Sequence, residues 1–159
     1  MAIDHGRLDK YRHDFLGSNF RLSEMQCAVG RVQLKHLDDW VARRNEIAAR
    51  YNEGFSSLEW TSPPAIREGA LHAWHQYVLR VDRRDDFQAH MDEQGVSTGI
   101  HYPIPCHRQP LYEGHPQHQE GTLPVTEAIC ASVVSIPVHP HLTDDEVEQV
   151  ISAVCSFTL

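Results

Sequence analysis

One run of apolar residues, spaced three and four positions apart, dominates the first third of this 159-residue chain. The run extends from Leu22 to Phe55, and Ser23 with Gln26 forms a capping-box pattern at its start. This spacing predicts one amphipathic helix from Glu24 to Phe55, about 48 Å long at 1.5 Å per residue. Such a helix is longer than a small domain is wide. We therefore expect part of its apolar stripe to be exposed and to need a partner.

Composition limits what else the chain can be. Hydrophobic residues make up 41% of the sequence and charged residues 23%, which excludes wholesale disorder. The net charge of −8 argues against nucleic-acid binding, which needs clustered Lys and Arg. No apolar run reaches the roughly 18 residues of a membrane span, and the first six residues lack an apolar signal core. We expect a cytoplasmic protein with no nucleic-acid and no membrane partner.

The rest of the chain predicts a small α/β domain of the α+β kind. We expect an arm and a long interdomain helix over residues 1–58, then a C-terminal domain over 59–159, in which helices cover a small, mostly antiparallel sheet. Pro124, Gly95 and the Thr143–Glu146 capping box mark the predicted helix ends. Three segments rich in β-branched and aromatic residues are predicted as strands: 74–81, 96–102 and 133–138.

Two segments could carry chemistry. Gly17, Asn19 and Arg21 precede a helix start, where an amide, a guanidinium and the helix dipole favour an anion, although a simple turn with a cap would use the same residues. The second segment, HYPIPCH, starts at His101 and Tyr102 where a predicted strand ends. Its prolines would present the side chains rigidly for binding, or they would form only a rigid connection with a buried tyrosine.

Histidine and cysteine patterns are weaker indications. Three histidine pairs lack partner pairs at metal-ligand spacing, so we predict no metal site; they are His72/His75, His115/His118 and His139/His141. A thiol nucleophile at Cys106 beside His107 is disfavoured, because neighbours on an extended segment point apart. We expect the cysteines to be reduced and mostly buried; they are Cys27, Cys106, Cys130 and Cys155. The helix arginines Arg43, Arg44 and Arg50 are expected on a solvated face.

Several of these motifs together resemble one known family. The run GSNFRLSEMQCAVGRVQLKHLDDWVARRNEIAARYNEGF is similar to the G-x-N-x-R…Y-N segment of the DegT/DnrJ/StrS sugar aminotransferases, which depend on pyridoxal phosphate. The pieces HAWHQYVLRV, HYPIPCH and LPVTEAICASVVSIPVHPHL follow in the same order. The resemblance covers nearly the whole chain and implies the C-terminal domain of a fold-type-I aminotransferase.

The same resemblance implies an incomplete active site. In the family, the Schiff-base lysine and the other residues that hold the cofactor ring lie in a large domain, which we expect to be absent here. Lys10 and Lys35 do not match that context, so no catalytic residue is assigned and the chain is expected to be inactive alone. By the family pattern, Asn19 reaches the cofactor phosphate of the partner subunit and Arg21 supports that loop. His101 and Tyr102 border the sugar-nucleotide pocket.

The function implied is transfer of an amino group, usually from glutamate, to a keto-sugar nucleotide by a homodimeric enzyme with pyridoxal phosphate. The biological setting would be the synthesis of polysaccharide or antibiotic sugars. Two alternatives stay open. The chain could be a non-catalytic dimerisation or binding module, or a fragment of a related sugar dehydratase that also uses pyridoxal phosphate and in which His replaces the lysine.

Overall fold

The computed structural model describes residues 16–18 and 20–158 of the chain. It divides the chain into two compact units, with the boundary between Asp38 and Asp39. Helices and a small antiparallel sheet confirm the α/β fold class, and no helix of the described part is long and apolar enough to cross a membrane. In chain order the elements are α1 Glu24–Gln33, α2 Leu37–Gly54, β1 Tyr77–Arg80, α3 Arg84–Glu93, α4 Pro124–Ser132, β2 Val133–Ile136 and α5 Asp144–Ser156.

Helix α1 belongs to the first unit and begins with the predicted capping box. The Ser23 hydroxyl accepts a hydrogen bond from the Gln26 amide (3.3 Å), and the Ser23 amide donates to Gln26 Oε1 (3.0 Å). No residue of α1 is buried. Four apolar side chains at helical spacing are between 58% and 82% exposed: Leu22, Met25, Val29 and Val32. The expected exposed stripe is therefore confirmed in this part of the chain.

The single long helix predicted for this region is wrong, because a turn at residues 34–36 separates α1 from α2. In that turn the Lys35 amide donates to the carbonyl of Val32 (3.2 Å), a spacing of three residues instead of the four of an α-helix. The apolar pattern already contained this break. Its step from Val32 to Leu37 is five positions, which is not a helical repeat of three, four or seven.

The second unit contains the sheet. Strands β1 and β2 pair antiparallel, as predicted, with Tyr77 opposite Ile136 and Arg80 opposite Val133. All four residues of β2 are buried. Strand β2 is therefore the inner strand of the domain. Its backbone positions the loop that follows it and the segment that lies opposite it.

The strand predicted at residues 96–102 is reduced to a single bridge. Gly99 exchanges two hydrogen bonds with Ser135 of β2, at 3.0 Å and 2.7 Å, and is the only residue of this segment that pairs. A longer strand around Gly99 is prevented by the residues on both sides of it. Gly95, with φ +72°, ends the turn after α3, and Pro103 cannot donate to a ladder.

The core lies between the sheet and the helices α2, α3 and α5. Helix α5 buries the face that its spacing predicts, with Val147, Val150 and Val154 inside and Ile151 partly buried at the edge. Aromatic rings fill the centre, and the largest fully buried side chains are Trp74, Tyr51, Tyr77, Phe55 and Phe87. The second unit therefore has the continuous core that α1 lacks.

The predicted helix ends are confirmed where the signal is local. Pro124 is the first residue of α4, as its fixed φ favours. Before α5, the Thr143 hydroxyl accepts from the Glu146 amide (3.3 Å), and the Thr143 amide donates to Glu146 Oε2 (2.8 Å). The Thr143 amide, and then the Thr143 hydroxyl (3.0 Å), donate to the Glu146 carboxylate and hold its pKa below the ordinary value.

The prediction of mostly buried cysteines is wrong. All four thiols are free, three are exposed, and only Cys130 is half-buried. Cys106 lies in a 3-10 turn at the surface, and Cys155 lies outside the buried stripe of α5, where its thiol donates to the Gly54 carbonyl (3.5 Å). Burial raises the pKa of the Cys155 thiol.

The solvated face predicted for the α2 arginines is also wrong, because all three are half-buried and hydrogen-bonded across the domain. Arg44 Nη1 donates to the carbonyl oxygens of Trp74 (2.7 Å) and Val138 (2.5 Å). Helical periodicity placed these residues away from the apolar stripe. The segments that cover that side of the helix come from much later in the chain.

Arg43 and Arg50 both bind the first residue of α5. Asp144 Oδ1 accepts from Arg43 Nη2 at 2.8 Å and from Arg50 Nη1 at 2.7 Å, and Arg50 also pairs with Glu148 (2.6 Å). Hydrogen bonding to Arg43, and then to Arg50, lowers the pKa of Asp144. This network ties α2 to the N-terminus of α5.

We predict that the Asp144 network makes unfolding pH-dependent on the acid side. Because its pKa is lowered on folding, Asp144 contributes stability above its ordinary pKa near 3.8 and loses that contribution as the pH falls through the lower folded value. Asp144→Asn should lower the melting temperature at pH 7, and the difference from the wild type should shrink progressively as the pH falls below 3.8. Asp145→Asn is the control, since it removes a charge from the same helix turn and Asp145 makes no ion pair among the described residues. A difference for Asp144→Asn that stays constant from pH 7 to pH 2 would contradict the prediction.

Candidate functional site

The four predicted site residues lie in different parts of the structure. Asn19 is outside the described residues, so its predicted role stays a prediction. Arg21 belongs to the first unit, whereas His101 and Tyr102 belong to the second.

Arg21 is exposed just before α1 and lines an open concavity of about 410 Å³ together with Phe20, Leu22 and Gln26. Its guanidinium is a suitable donor to an anion. The first turn of the helix is already partly satisfied, because the capping box uses the Gln26 amide and Glu24 adds a negative charge. An anion here would depend on Arg21 and the preceding loop more than on the helix N-terminus.

His101 is held in place by the inner strand. Its Nδ1 lies 3.1 Å from the hydroxyl of Ser135, the β2 residue that bridges to Gly99. The ring lies so close to the backbone that a Cβ atom at Gly99 would be 2.9 Å from His101 Cε1. Glycine is therefore required for this ring position.

Tyr102 follows His101 through a cis peptide bond, and its side chain is 75% exposed. The interpretation of this segment as a rigid connection with a buried tyrosine is therefore wrong. An aromatic ring with a hydroxyl group stands at the surface beside a fixed imidazole. Such a pair can stack on a ring and hydrogen-bond a polar ligand.

The proline-rich segment that follows has defined structure without long elements. Three short 3-10 turns occur in it, at Cys106–Arg108, Pro110–Tyr112 and Pro116–His118. Arg108 closes the segment on itself, because its guanidinium donates to the carbonyl of His118. The segment is therefore fixed by side-chain hydrogen bonds as well as by proline.

His107 pairs with a carboxylate that the sequence analysis did not identify. Its Nε2 lies 2.9 Å from Glu127 Oε1, and only 8% of the His107 side chain and 19% of the Glu127 side chain is exposed. Glu127 also accepts a hydrogen bond from the Gly121 amide (2.8 Å). Hydrogen bonds from Gly121 and His107 hold the pKa of Glu127 below its ordinary value. The only sequence signal for Glu127 was an acidic residue in the first turn of α4, which is common for other reasons.

A cavity of about 310 Å³ adjoins this pair, lined by Cys106, His107, Tyr112 and His115. Among the described residues no hydrogen bond joins the Cys106 thiol to the His107 ring, and the ring is engaged by Glu127 instead. The arrangement gives no support to a thiol nucleophile. It offers an imidazole and a phenol as hydrogen-bonding groups at a partly enclosed surface.

The described residues do not offer a metal centre or a covalent anchor for a cofactor. No group of three or more His, Cys, Asp or Glu side chains among them could hold a metal ion. Lys35 is exposed in the turn between α1 and α2, as expected, and Lys10 lies outside the described residues.

Known proteins match this chain over nearly its whole length. The sequence pattern of the DegT/DnrJ/EryC1/StrS aminotransferase family covers residues 2–155. The chain is 40% identical over 154 residues to a dTDP-3-amino-3,4,6-trideoxy-alpha-D-glucose transaminase of Streptomyces venezuelae, covering 97% of this chain and 40% of that protein. It is also 40% identical over 151 residues to a dTDP-3-amino-3,6-dideoxy-alpha-D-galactopyranose transaminase of Aneurinibacillus thermoaerophilus, covering 95% and 40%.

Solved structures agree with these sequence matches. The crystal structure of S. venezuelae DesV superposes with a TM-score of 0.85 at 40% identity, covering 95% of this chain and 40% of that one. A DegT/DnrJ/EryC1/StrS aminotransferase from Brucella abortus gives a TM-score of 0.81 at 30% identity, with the same coverage. The chain thus spans about 40% of the length of these relatives. On the match over residues 2–155, the chain belongs to the DegT/DnrJ/EryC1/StrS aminotransferase family.

Proposed function

We propose that this chain is the C-terminal portion of a sugar-nucleotide aminotransferase that transfers an amino group, from glutamate, to a keto-sugar nucleotide. The observation that carries the proposal is 40% identity, over almost the entire chain, to two proteins named as transaminases of dTDP-linked amino sugars. The same names favour an aminotransferase over the dehydratase alternative. A homodimer is part of the proposal, since the predicted contact of Asn19 is to the partner subunit's cofactor.

Pyridoxal phosphate, when bound, supplies the carrier for the amino group. The described residues do not fit it as a covalent site, because their only lysine, Lys35, is exposed in a turn. The contribution that this chain can make is peripheral. Asn19 is proposed to donate its amide to the cofactor phosphate, and Arg21 to support that loop with its exposed guanidinium.

His101 and Tyr102 are proposed to border the sugar-nucleotide pocket. Two features support this role: the Ser135 contact that fixes the imidazole and the exposure of the neighbouring phenol ring. A fixed imidazole and a phenol can orient a polar ligand by hydrogen bonds without moving when it binds. Neither group is assigned a proton transfer.

The decisive experiment is to sequence the DNA upstream of Met1 and to assay the complete protein. We expect an upstream domain with a lysine in family register, and a product in which glutamate nitrogen has entered a keto-sugar nucleotide. A histidine at the lysine position would support the dehydratase alternative. The absence of any such domain, with a stable cofactor-free dimer, would support a non-catalytic module.

We predict that this chain alone does not bind pyridoxal phosphate through a lysine. The cofactor is mixed with the chain, the adduct is reduced with borohydride, and the digested peptides are analysed by mass spectrometry. We expect only weak, unspecific labelling, because Lys35 is exposed in a turn and neither lysine matches the family context of the Schiff-base lysine. Stoichiometric labelling of Lys10 or Lys35 that is lost only when that residue is replaced would refute this expectation.

In the complete enzyme, Asn19→Ala should raise the dissociation constant for pyridoxal phosphate by about 10- to 150-fold. This corresponds to about 1.5–3 kcal/mol for one hydrogen bond to a charged group. Asn52→Ala is the matched control, because the Asn52 amide oxygen accepts from the Tyr77 hydroxyl (2.6 Å) inside the core. The control should lower the melting temperature and leave cofactor affinity unchanged. If Asn19→Ala instead lowers the melting temperature and leaves cofactor affinity unchanged, Asn19 is a structural turn residue.

A further inference from the structure

One carboxylate connects three separate points of the segment between residues 104 and 123. Glu127 Oε2 accepts from the Gly121 amide at 2.8 Å. Glu127 Oε1 accepts from the Leu123 amide at 3.4 Å and lies 2.9 Å from His107 Nε2. The two amides are backbone donors that cannot change their role. The His107 imidazole is the only one of the three partners whose ring nitrogen can either donate or accept a hydrogen bond.

An ionised carboxylate can only accept hydrogen bonds, so the His107 contact requires the proton on Nε2. A neutral ring then keeps Nδ1 as its acceptor. This ring lines the cavity of about 310 Å³ next to Tyr112 and His115. The tautomer of a ring that lines this cavity is therefore set by a residue on α4, 20 positions away in sequence.

We propose that Glu127 is a positioning residue: it fixes His107 as the Nε2–H tautomer and closes residues 104–123 into a preformed wall of the adjoining cavity. Its effect on a ligand acts through His107 and through the loop, since Glu127 is not among the residues that line the cavity. The link to sugar-nucleotide binding rests on the proposed function. The tautomer and the loop structure are properties of this chain without any ligand.

The test uses three variants of this chain. Glu127→Ala removes every acceptor. Glu127→Gln keeps the size of the side chain but replaces one oxygen by an NH₂ group. The remaining oxygen can face either Gly121 or the side of Leu123 and His107. In the first case His107 must accept from the NH₂ group through Nε2, and in the second case Gly121 loses its acceptor. Glu113→Gln is the control, since Glu113 lies in the same segment and its carboxylate makes no hydrogen bond or ion pair among the described residues.

Two readouts are made without ligand at pH 8.5. Long-range ¹H–¹⁵N spectra of the imidazole report the tautomer, and amide hydrogen exchange reports the Gly121 N–H. For the wild type and Glu113→Gln we expect Nε2–H and a protected Gly121. For Glu127→Gln we expect one of two coupled results: mainly Nδ1–H with Gly121 exchange within a few-fold of the wild type, or Nε2–H with Gly121 exchange accelerated by about ten-fold or more. For Glu127→Ala, Gly121 exchange should accelerate by about ten-fold or more.

A wild-type ring that is mainly Nδ1–H would overturn the proposal. So would a Glu127→Gln variant in which neither the tautomer nor the Gly121 exchange changes. This variant keeps the test valid if Glu127→Ala does not fold. Both readouts are independent of substrate and cofactor. A failure of the transaminase assay would leave them unchanged, and their failure would leave the proposed function standing.

Discussion

The guanidinium of Arg44 is the interaction on which the small domain depends. Helix α2 is distant in sequence from both strands, yet Arg44 binds the carbonyl of Trp74, before β1, and that of Val138, after β2. Asn45, the next residue, donates to the carbonyl of His72 (2.9 Å) and accepts from the Trp74 indole (3.1 Å). Backbone carbonyls at strand ends lose water on folding and need donors, and removing such a donor costs the full desolvation of the group left behind. Helix α2 therefore positions both strands by polar contacts as well as by apolar burial.

This dual role of α2 explains which parts of the fold could be predicted. The capping boxes at Ser23 and Thr143 and the stop at Gly95 were predicted correctly, because each depends on a few adjacent residues. The cross-domain roles of Arg43 and Arg44 could not be predicted, since the partners that these residues bind outside α2 are 30 to 101 positions away. A helical pattern identifies which face is apolar. It does not identify which polar face another segment will cover.

The same distinction applies to the candidate site. His101 and Tyr102 were identified because prolines follow a predicted strand end, which is a local signal. Glu127 was missed because its interaction with His107 spans 20 positions and a segment without regular periodicity. The strand predicted at 96–102 failed for a related reason: its residues favour extended structure, but only Gly99 finds a partner on β2. Pairing, which decides whether extended residues form a strand, is not encoded in the segment itself.

The exposed stripe of α1 has a thermodynamic consequence for the chain. Isolated helices shorter than about 12–15 residues are marginal in water, and in proteins most helix stability comes from packing of the apolar face. Helix α1 has 10 residues and none of them is buried, so its capping box is the main stabilising contact that the described residues give it. Helix α5, with 13 residues and a capping box of the same kind, buries four side chains and does not share this weakness. Since the cap is common to both helices, burial is the difference between them. The stability of α1 therefore depends on burial of its apolar stripe, which the described residues do not provide.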